Sequence, residues 1–355
     1  MQANPEDPSG ATLAAGTYLG KYQVVRLLGE GGMGAVYEGV HVAIGKKVAI
    51  KIMRPDLAAD PDARARFLRE AQLTSRVRHP HAVDVTDVGV EAGQTFLVME
   101  LLDGEDLASY IQWRGRLPLE QAADFMLAIA AAVAAAHDEG IVHRDLKPHN
   151  VFLSQTRDGA IVPKVVDFGI SKGLSAQEPA AATPTPVITP RVKTTVGLMG
   201  SPGYLSPEQI EATRPITAAS DQYGLGIILY ECVTGRPAFA TDDDVTTIFS
   251  NIVHGKLAAA DDLRPDLPEG FQRIIARATS TDPAARFPSV RAMGKALLPF
   301  ATPKAALTWA STFDDGQASA VIPALPPPRR AFAPWIVAGV AILTAAGAIA
   351  WALGG

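Results

Sequence analysis

His143-Arg144-Asp145-Leu146-Lys147-Pro148-His149-Asn150 is the stretch of this 355-residue chain that decides its fold, and Asp167-Phe168-Gly169 follows it closely. One carboxylate in such a set can orient an attacking hydroxyl group. An asparagine and a second carboxylate supply hard oxygen ligands of the kind that Mg²⁺ prefers. These residue types in this order therefore predict chemistry on a phosphoryl group.

The composition limits what the chain can be. Hydrophobic residues make up 48% of its positions, enough to bury one large domain and leave room for appendages. The formal net charge of −5 argues against a nucleic-acid partner, because binding a phosphate backbone needs a surplus of Lys and Arg. Cys232 is the single cysteine, so no intrachain disulfide can form and a reducing compartment is indicated. Its apolar neighbours favour packing over reactivity.

A glycine-rich motif, G-x-G-x-x-G-x-V, occupies residues 29–36. Glycine allows a sharp turn and lets the backbone approach phosphates closely. The same spacing occurs in dinucleotide-binding folds, and a plain hairpin turn is a further alternative. The motif leads into a strand-like run rather than a helix, and Val48-Ala49-Ile50-Lys51 follows it, which favours a loop that covers nucleotide phosphates.

The pattern of apolar residues divides the chain into two structural regions. Residues 21–102 alternate apolar and polar positions, which predicts a small antiparallel sheet, interrupted by one helix from about Pro61 to Val77. From Pro118 onward the apolar spacing becomes helical. Residues 175–190 are rich in Ala, Thr and Pro and cannot build a core, and residues 301–333 are expected to form a Pro-rich linker.

Taken together, these motifs resemble those of the eukaryotic-like (Hanks-type) serine/threonine protein kinases of bacteria. The resemblance covers about residues 21–300 and implies an α+β, bilobal protein kinase fold. The N-lobe, residues 21–102, would hold an antiparallel sheet and one helix. Residues 103–300 would form a mainly helical C-lobe, and residues 1–20 a flexible tail.

The resemblance also implies a role for each residue of the motifs. Asp145 would orient the acceptor hydroxyl, and Lys147 would stabilise charge on the transferred phosphoryl group and favour Ser/Thr over Tyr as the acceptor. Asn150 and Asp167 would hold Mg²⁺, with Mn²⁺ as an alternative metal. ATP would be the second substrate, with Lys51 on its α and β phosphates, held by an ion pair with Glu70.

The remaining nucleotide contacts follow from the same resemblance. The glycines would cover the phosphates, Val36 and Ala49 would line the adenine pocket, and residues 100–102 would form the hinge with Met99 behind it. The implied ATP-binding positions are Gly29, Gly31, Gly34, Val36, Ala49, Lys51, Glu70, Glu100 and Leu102.

Other positions match the family in structural or regulatory roles. Glu208 would pair with Arg286, Asp221 would brace the catalytic loop, and His143 would be a scaffold residue rather than a base. Arg144 before Asp145 implies regulation by a phosphate in the activation segment. Autophosphorylation is expected at Thr195 or Thr194.

The C-terminal region predicts a membrane anchor. Residues 331–355 carry no charge, and residues 334–353 are long and apolar enough to cross a bilayer. Arg329-Arg330 before the run places the preceding domain on the cytoplasmic side. The expected location is the bacterial inner membrane, with a single pass, a lipid partner and small residues in the span that permit dimerisation. A buried, Ala-rich core helix is the alternative.

Two other functions remain open at this stage. A catalytically silent pseudokinase could serve as a membrane scaffold, although Lys51, Asp145, Asn150 and Asp167 are all present. A small-molecule phosphotransferase of related fold would share the carboxylates and the asparagine. It would not be expected to carry Lys147 or Ser206-Pro207-Glu208.

Overall fold

A computed structural model describes residues 13–32, 34–91, 93–168, 202–240 and 243–314, and it describes Glu70 only by its backbone. The chain divides into two compact units, Met1–Gly316 and Gln317–Gly355. The predicted membrane span at 334–353 and the predicted phosphorylation sites Thr194 and Thr195 lie outside the described residues.

The N-lobe is built around a six-stranded antiparallel sheet, as the alternating pattern predicts. Its strands run in the order β1-β2-β3-β4-β6-β5. They are β1 (Tyr18–Leu19), β2 (Tyr22–Gly31), β3 (Gly34–His41), β4 (Lys47–Met53), β5 (Val85–Glu91) and β6 (Gln94–Glu100). One face packs into an apolar core around Val24, Ile50 and Val98, because successive side chains of a strand point to opposite faces.

Two helices, rather than the single predicted one, connect β4 to β5. The short α1 spans Pro55–Ala58, and α2 spans Pro61–Thr74. The carboxylate of Asp60 accepts a hydrogen bond from the Asp62 amide at 2.9 Å, which caps α2 at the predicted start. The helix ends at Thr74 instead of Val77, because the last residues close as tight turns, with Val77 N donating to Thr74 O.

The C-lobe combines helices with a small three-stranded sheet of order β7-β8-β9. Its elements are β7 (Gly104–Asp106), α3 (Leu107–Arg114), α4 (Leu119–Asp138), β8 (Val151–Gln155), β9 (Ile161–Val165), α5 (Pro207–Glu211), α6 (Ala218–Thr234), α7 (Val245–Val253), α8 (Ala260–Leu263), α9 (Glu269–Ala278), α10 (Val290–Leu297) and α11 (Pro303–Trp309). Helices α4 and α6 form its core, and Cys232 on α6 is buried there, as predicted.

Within the part of the chain that the structure describes, α4 is the one helix long and apolar enough to cross a membrane. It lies in the centre of the C-lobe, where its apolar residues pack against α6, α10 and β9. Its hydrophobicity is therefore explained by burial in the domain.

The ordered domain is longer at both ends than the predicted boundaries. Within the predicted tail, Leu19 is buried in the N-lobe core, and Gly16 N donates to Val24 O at 2.8 Å. Within the predicted linker, α11 forms and Phe313 is fully buried against the C-lobe. The first part of the expected linker therefore belongs to the domain, because its few large apolar residues pack against the C-lobe core.

Candidate active site

The catalytic loop is held in place by Asp221, the fourth residue of α6. One oxygen of its carboxylate accepts a hydrogen bond from the His143 amide at 2.8 Å, and the other accepts one from the Arg144 amide at 2.8 Å. His137 Nε2 lies 2.7 Å from the same carboxylate. Arg144 has a left-handed backbone with φ of 66°, a conformation that needs such support in a residue with a side chain. The predicted brace is confirmed.

Asp145 lies between two of the other predicted catalytic-loop residues. Lys147 Nζ is 2.9 Å from Asp145 Oδ2, and both side chains are largely buried. Asn150 Nδ2 donates to the Asp145 backbone carbonyl at 2.8 Å and to Oδ2 at 3.1 Å. The amide nitrogen of Asn150 is therefore engaged, which leaves its amide oxygen as the atom able to coordinate a cation.

Lys51 and Asp167 meet at the junction of the two lobes. Lys51 is buried on β4, and its Nζ lies 2.6 Å from Asp167 Oδ1. Asp167 follows β9 with a left-handed φ of 59°, and its side chain is 30% exposed, so the carboxylate remains accessible. The predicted ion pair between Lys51 and Glu70 stays a prediction, because the side chain of Glu70 lies outside the described residues. The helical backbone of Glu70 does lie on α2, as predicted.

Buried side chains next to the contact between Lys51 and Asp167 have structural roles. The rings of His143 and Phe168 lie with centroids 5.0 Å apart, and His143 Nε2 is 3.0 Å from the Val166 carbonyl. Complete burial lowers the pKa of His143, so the ring is neutral at neutral pH and agrees with the predicted scaffold role. Thr74, at the end of α2, donates from its hydroxyl to the Phe168 carbonyl at 3.2 Å. No sequence motif predicted this last contact.

The glycine-rich loop is the hairpin between β2 and β3. Gly29 pairs with Val36, and Gly31 pairs with Gly34. A Cβ added to Gly29 or Gly31 would meet no atom within 4 Å, so open space lies beside their backbone. A Cβ on Gly34 would overlap the Ile52 carbonyl oxygen, and φ there is 155°. Gly34 is thus required by the fold, whereas Gly29 and Gly31 leave room for a ligand.

An apolar cluster lies where the adenine pocket is predicted. It contains Ala49, Val83 and Met99, and Val36 and Leu102 pack against it with Leu101 and Val166. The hinge residue Glu100 forms contacts through both its backbone and its side chain. Its amide donates to the Asp84 carbonyl at 2.9 Å, and its Oε1 lies 2.7 Å from Lys164 Nζ.

A buried ion pair in the C-lobe joins Arg286 to Glu208 on α5. Arg286 Nη1 and Nη2 donate to the two oxygens of Glu208 at 2.8 and 2.9 Å, and Ser220 also donates to Glu208 at 2.7 Å. Burial alone would raise the pKa of Glu208, but the hydrogen bonds from Arg286 and Ser220 lower it below its ordinary value. The predicted pairing of Glu208 with Arg286 is confirmed.

A cavity of about 710 Å³ opens beside the catalytic loop, away from the glycine-rich hairpin. His149 lines it on the side of the loop, and α3, the segment 202–204, the end of α6 and α7 form its walls. Glu231 lines it as well, and burial raises the pKa of this carboxyl to about 7. Tyr204 donates to Glu231 Oε2 at 3.1 Å. One feature of the sequence points to this site, a glutamate within the apolar run of α6.

The two lobes and the catalytic corner between them define the class of protein. A profile described as protein kinase domain matches residues 22–297, and the chain belongs to that family. Its bilobal fold, with an antiparallel N-lobe sheet and a helical C-lobe, is that of the family.

Curated relatives and solved structures agree with this family. The chain is 36% identical to the serine/threonine-protein kinase PknH of Mycobacterium tuberculosis, over 77% of this chain and 41% of the relative. It is 37% identical to the serine/threonine-protein kinase PrkC of Bacillus subtilis, over 77% of this chain and 39% of the relative. The crystal structure of the PknI kinase domain of Mycobacterium tuberculosis is 29% identical, with a TM-score of 0.62, and covers 82% of this chain and 100% of that domain. This chain spans about two-fifths of the length of the two curated relatives.

Proposed function

We propose that this protein is a serine/threonine protein kinase that transfers the γ-phosphoryl group of ATP to hydroxyl groups of protein substrates, including its own. The observation that carries the proposal is the position of Asp145, whose carboxylate is held by both Lys147 and Asn150. A carboxylate fixed in this way can orient an acceptor hydroxyl, and the adjacent ammonium group of Lys147 can neutralise developing negative charge.

The nucleotide fits the corner formed by Lys51, Asp167 and the glycine-rich hairpin. The open space beside Gly29 and Gly31 lets phosphates approach backbone amides, and Lys51 supplies a buried positive charge. The apolar cluster of Ala49 and Met99 suits a flat purine base. Glu70, Glu100 and Leu102 keep their predicted roles in nucleotide binding as part of this proposal.

Asn150 and Asp167 are the residues that would hold a divalent cation. They offer one amide oxygen and one partly exposed carboxylate, the hard donors that suit Mg²⁺ or Mn²⁺ together with nucleotide phosphates. Among the described residues, no group of three or more His, Cys, Asp or Glu side chains forms a separate metal cluster. A cation held by these two residues neutralises phosphate charge when it is bound.

The acceptor segment fits the cavity beside His149. His149 of the catalytic loop lines this cavity and no residue of the glycine-rich hairpin does, so a peptide there could present a hydroxyl to Asp145 without occupying the proposed nucleotide site. Phe239 and Ile248 supply apolar walls, and Glu231 supplies a single buried polar group.

Phosphoamino-acid analysis tests the proposed activity and its specificity. The full chain is incubated with γ-labelled ATP, Mg²⁺ and three matched peptide pools that carry Ser, Thr or Tyr at the centre. We expect label on Ser and Thr and little on Tyr. The Asp145→Asn variant should transfer about a hundredfold less, because the oriented carboxylate is lost. Equal label from wild type and variant would contradict the enzyme and favour the pseudokinase, and label mainly on Tyr would contradict the specificity.

The proposal includes regulation by autophosphorylation. We place autophosphorylation at Thr195 or Thr194, because Arg144 beside Asp145 provides a guanidinium group for a phosphate, and its buried Nε has no hydrogen-bond partner within the described residues. Phosphosite mapping of the purified chain tests this assignment. Replacement of both threonines by alanine should lower the rate, and an unchanged rate would contradict it.

We also propose that the chain is anchored in the bacterial inner membrane by residues 334–353, with the kinase domain in the cytoplasm, where ATP is available. The uncharged run and the preceding Arg329-Arg330 support this placement. The full chain should sediment with membranes, and a chain ending at Pro328 should stay in the supernatant. Recovery of the full chain in the soluble fraction would contradict the anchor.

A further inference from the structure

The described structure continues beyond the end of the family match at residue 297 and returns to the domain. Thr302 donates from its amide and its hydroxyl to Asp124 on α4, at 2.9 and 2.7 Å. Phe313 is fully buried, and its ring occupies the space that a side chain at position 294 would need. Arg291 donates to the Thr312 carbonyl at 2.7 Å. Residues 302–314, which we call the terminal strap, are therefore attached to the C-lobe at both ends.

Between these two attachments, the terminal strap contacts a loop of the N-lobe. The Trp309 ring stacks on His79, with centroids 6.1 Å apart and an interplanar angle of 29°. It also meets His81 edge-on at 5.3 Å. His79 and His81 lie in the loop that connects α2 to β5. Trp309 thus packs against the segment that follows the helix carrying Glu70.

The same loop is joined directly to the strand that delivers Asp167. His81 Nδ1 is 2.7 Å from the Pro163 carbonyl on β9. Val165 N donates to the His81 carbonyl at 2.8 Å, and Val83 N donates to the Val165 carbonyl at 2.9 Å. Val165 is two residues before Asp167, whose carboxylate contacts Lys51. A continuous series of contacts therefore leads from Trp309 through His81 and β9 to the catalytic corner.

We propose that Trp309 is a positioning residue for phosphoryl transfer, which holds the 79–83 loop and, through β9, the carboxylate of Asp167. The inference rests on the proposed kinase activity. Phosphoryl transfer depends on accurate placement of the groups that meet the phosphates, so a small displacement of Asp167 is costly to the rate. Trp309 is not one of the residues assigned to ATP, and it does not line the acceptor cavity. Any event that lifts the terminal strap from the C-lobe would consequently slow the reaction.

The test compares Trp309→Ala with Leu307→Ala in the full chain. Leu307 lies on the same helix and is 82% exposed, so its truncation should leave the domain unaffected. Steady-state kcat and the KM for ATP and for a peptide acceptor are measured at a temperature where circular dichroism shows both variants folded. We expect about a tenfold lower kcat for Trp309→Ala, with the acceptor KM unchanged, and wild-type values for Leu307→Ala.

Two further measurements separate positioning from general loss of stability. Trp309→Phe keeps a ring that can stack and should recover most of the lost kcat. Hydrogen exchange at the amides of Val83 and Val165 should accelerate in Trp309→Ala and not in Leu307→Ala, because those amides bond across the loop and β9.

Wild-type kcat and wild-type exchange at both amides in folded Trp309→Ala would overturn the positioning role. If Trp309→Ala does not fold, His79→Ala removes the other half of the stack without opening the C-lobe core. It should show the same loss of kcat, and a wild-type rate would overturn the proposal. If the wild-type protein itself transfers no phosphate, the proposed function fails, and the exchange rates at Val83 and Val165 still decide whether Trp309 holds the loop.

Discussion

Asp221 fixes the catalytic loop although it lies 78 residues beyond His143 in the chain. Its two oxygens satisfy the amides of His143, which is buried with it, and of Arg144, which is partly buried and adjacent in sequence. Buried amides without partners are costly, so one carboxylate sets the backbone of the whole loop. This role could be predicted because the motif around Asp221 is distinctive. Its distances to the two amides could not.

Asp221→Ala should lower the free energy of unfolding by about 2–5 kcal/mol, because it leaves the amide donors of His143 and Arg144 without acceptors. Urea denaturation followed by circular dichroism measures the difference. Asp262→Ala, at an exposed position on α8, is the control and should change stability by less than about 0.5 kcal/mol. Equal stability of Asp221→Ala and wild type would show that the loop does not depend on this carboxylate.

Gly31 and Gly34 belong to one motif but should respond differently to the same substitution. Gly34→Ala should destabilise the N-lobe, because a Cβ there overlaps the Ile52 carbonyl oxygen. Gly31→Ala meets open space, so the melting temperature should stay near the wild-type value while the KM for ATP rises, because the new methyl group enters the region assigned to the phosphates. Thermal melts and ATP titrations of the kinase rate measure both effects. An unchanged KM in Gly31→Ala would place the phosphates elsewhere.

At the level of helices and strands, local patterns predicted the elements whose apolar residues follow a clear period. The N-lobe strands and the capped start of α2 are examples, since Asp60 and Pro61 are strong signals for a helix beginning. The end of α2 was less predictable, because tight turns continue past Thr74 without a distinctive residue. Helix α11 was missed because the Pro-rich composition around it masked two anchoring side chains, Trp309 and Phe313.

The contact between α11 and the loop after α2 should make stability depend on pH. Burial, together with the nearby charges of His81, Lys164 and Arg291, lowers the pKa of His79 to about 4. The unfolded state therefore binds more protons than the folded state between pH 6.5 and pH 4. The contribution of neutral His79 is complete above pH 6.5 and is lost as the pH falls toward 4.

The free energy of unfolding should accordingly fall by about 1 kcal/mol between pH 7 and pH 5.5 through this residue. His79→Phe keeps a ring against Trp309 and does not titrate, so its stability should decline less over the same interval. Denaturant titrations of both proteins at the two pH values measure the difference. Parallel losses in the two proteins would show that His79 does not contribute.

At the scale of the whole molecule, the site is assembled from residues that are remote in sequence. Lys51 and Asp167 are 116 residues apart and belong to different lobes, yet their charged atoms are in contact. Family motifs identified both residues, because their chemistry restricts residue type and order. The acceptor cavity could not be predicted in the same way. Its walls come from four separate parts of the C-lobe, and only their packing brings Glu231 and Tyr204 to one surface.

We propose that Asp145 serves phosphoryl transfer at a site that also binds ATP. The most direct test measures kcat at saturating ATP, Mg²⁺ and peptide acceptor for wild type and Asp145→Asn, together with the affinity of each protein for ATP. In Asp145→Asn we expect kcat to fall by about a hundredfold or more while ATP affinity stays within about threefold of wild type. Equal kcat values in the two proteins would contradict it.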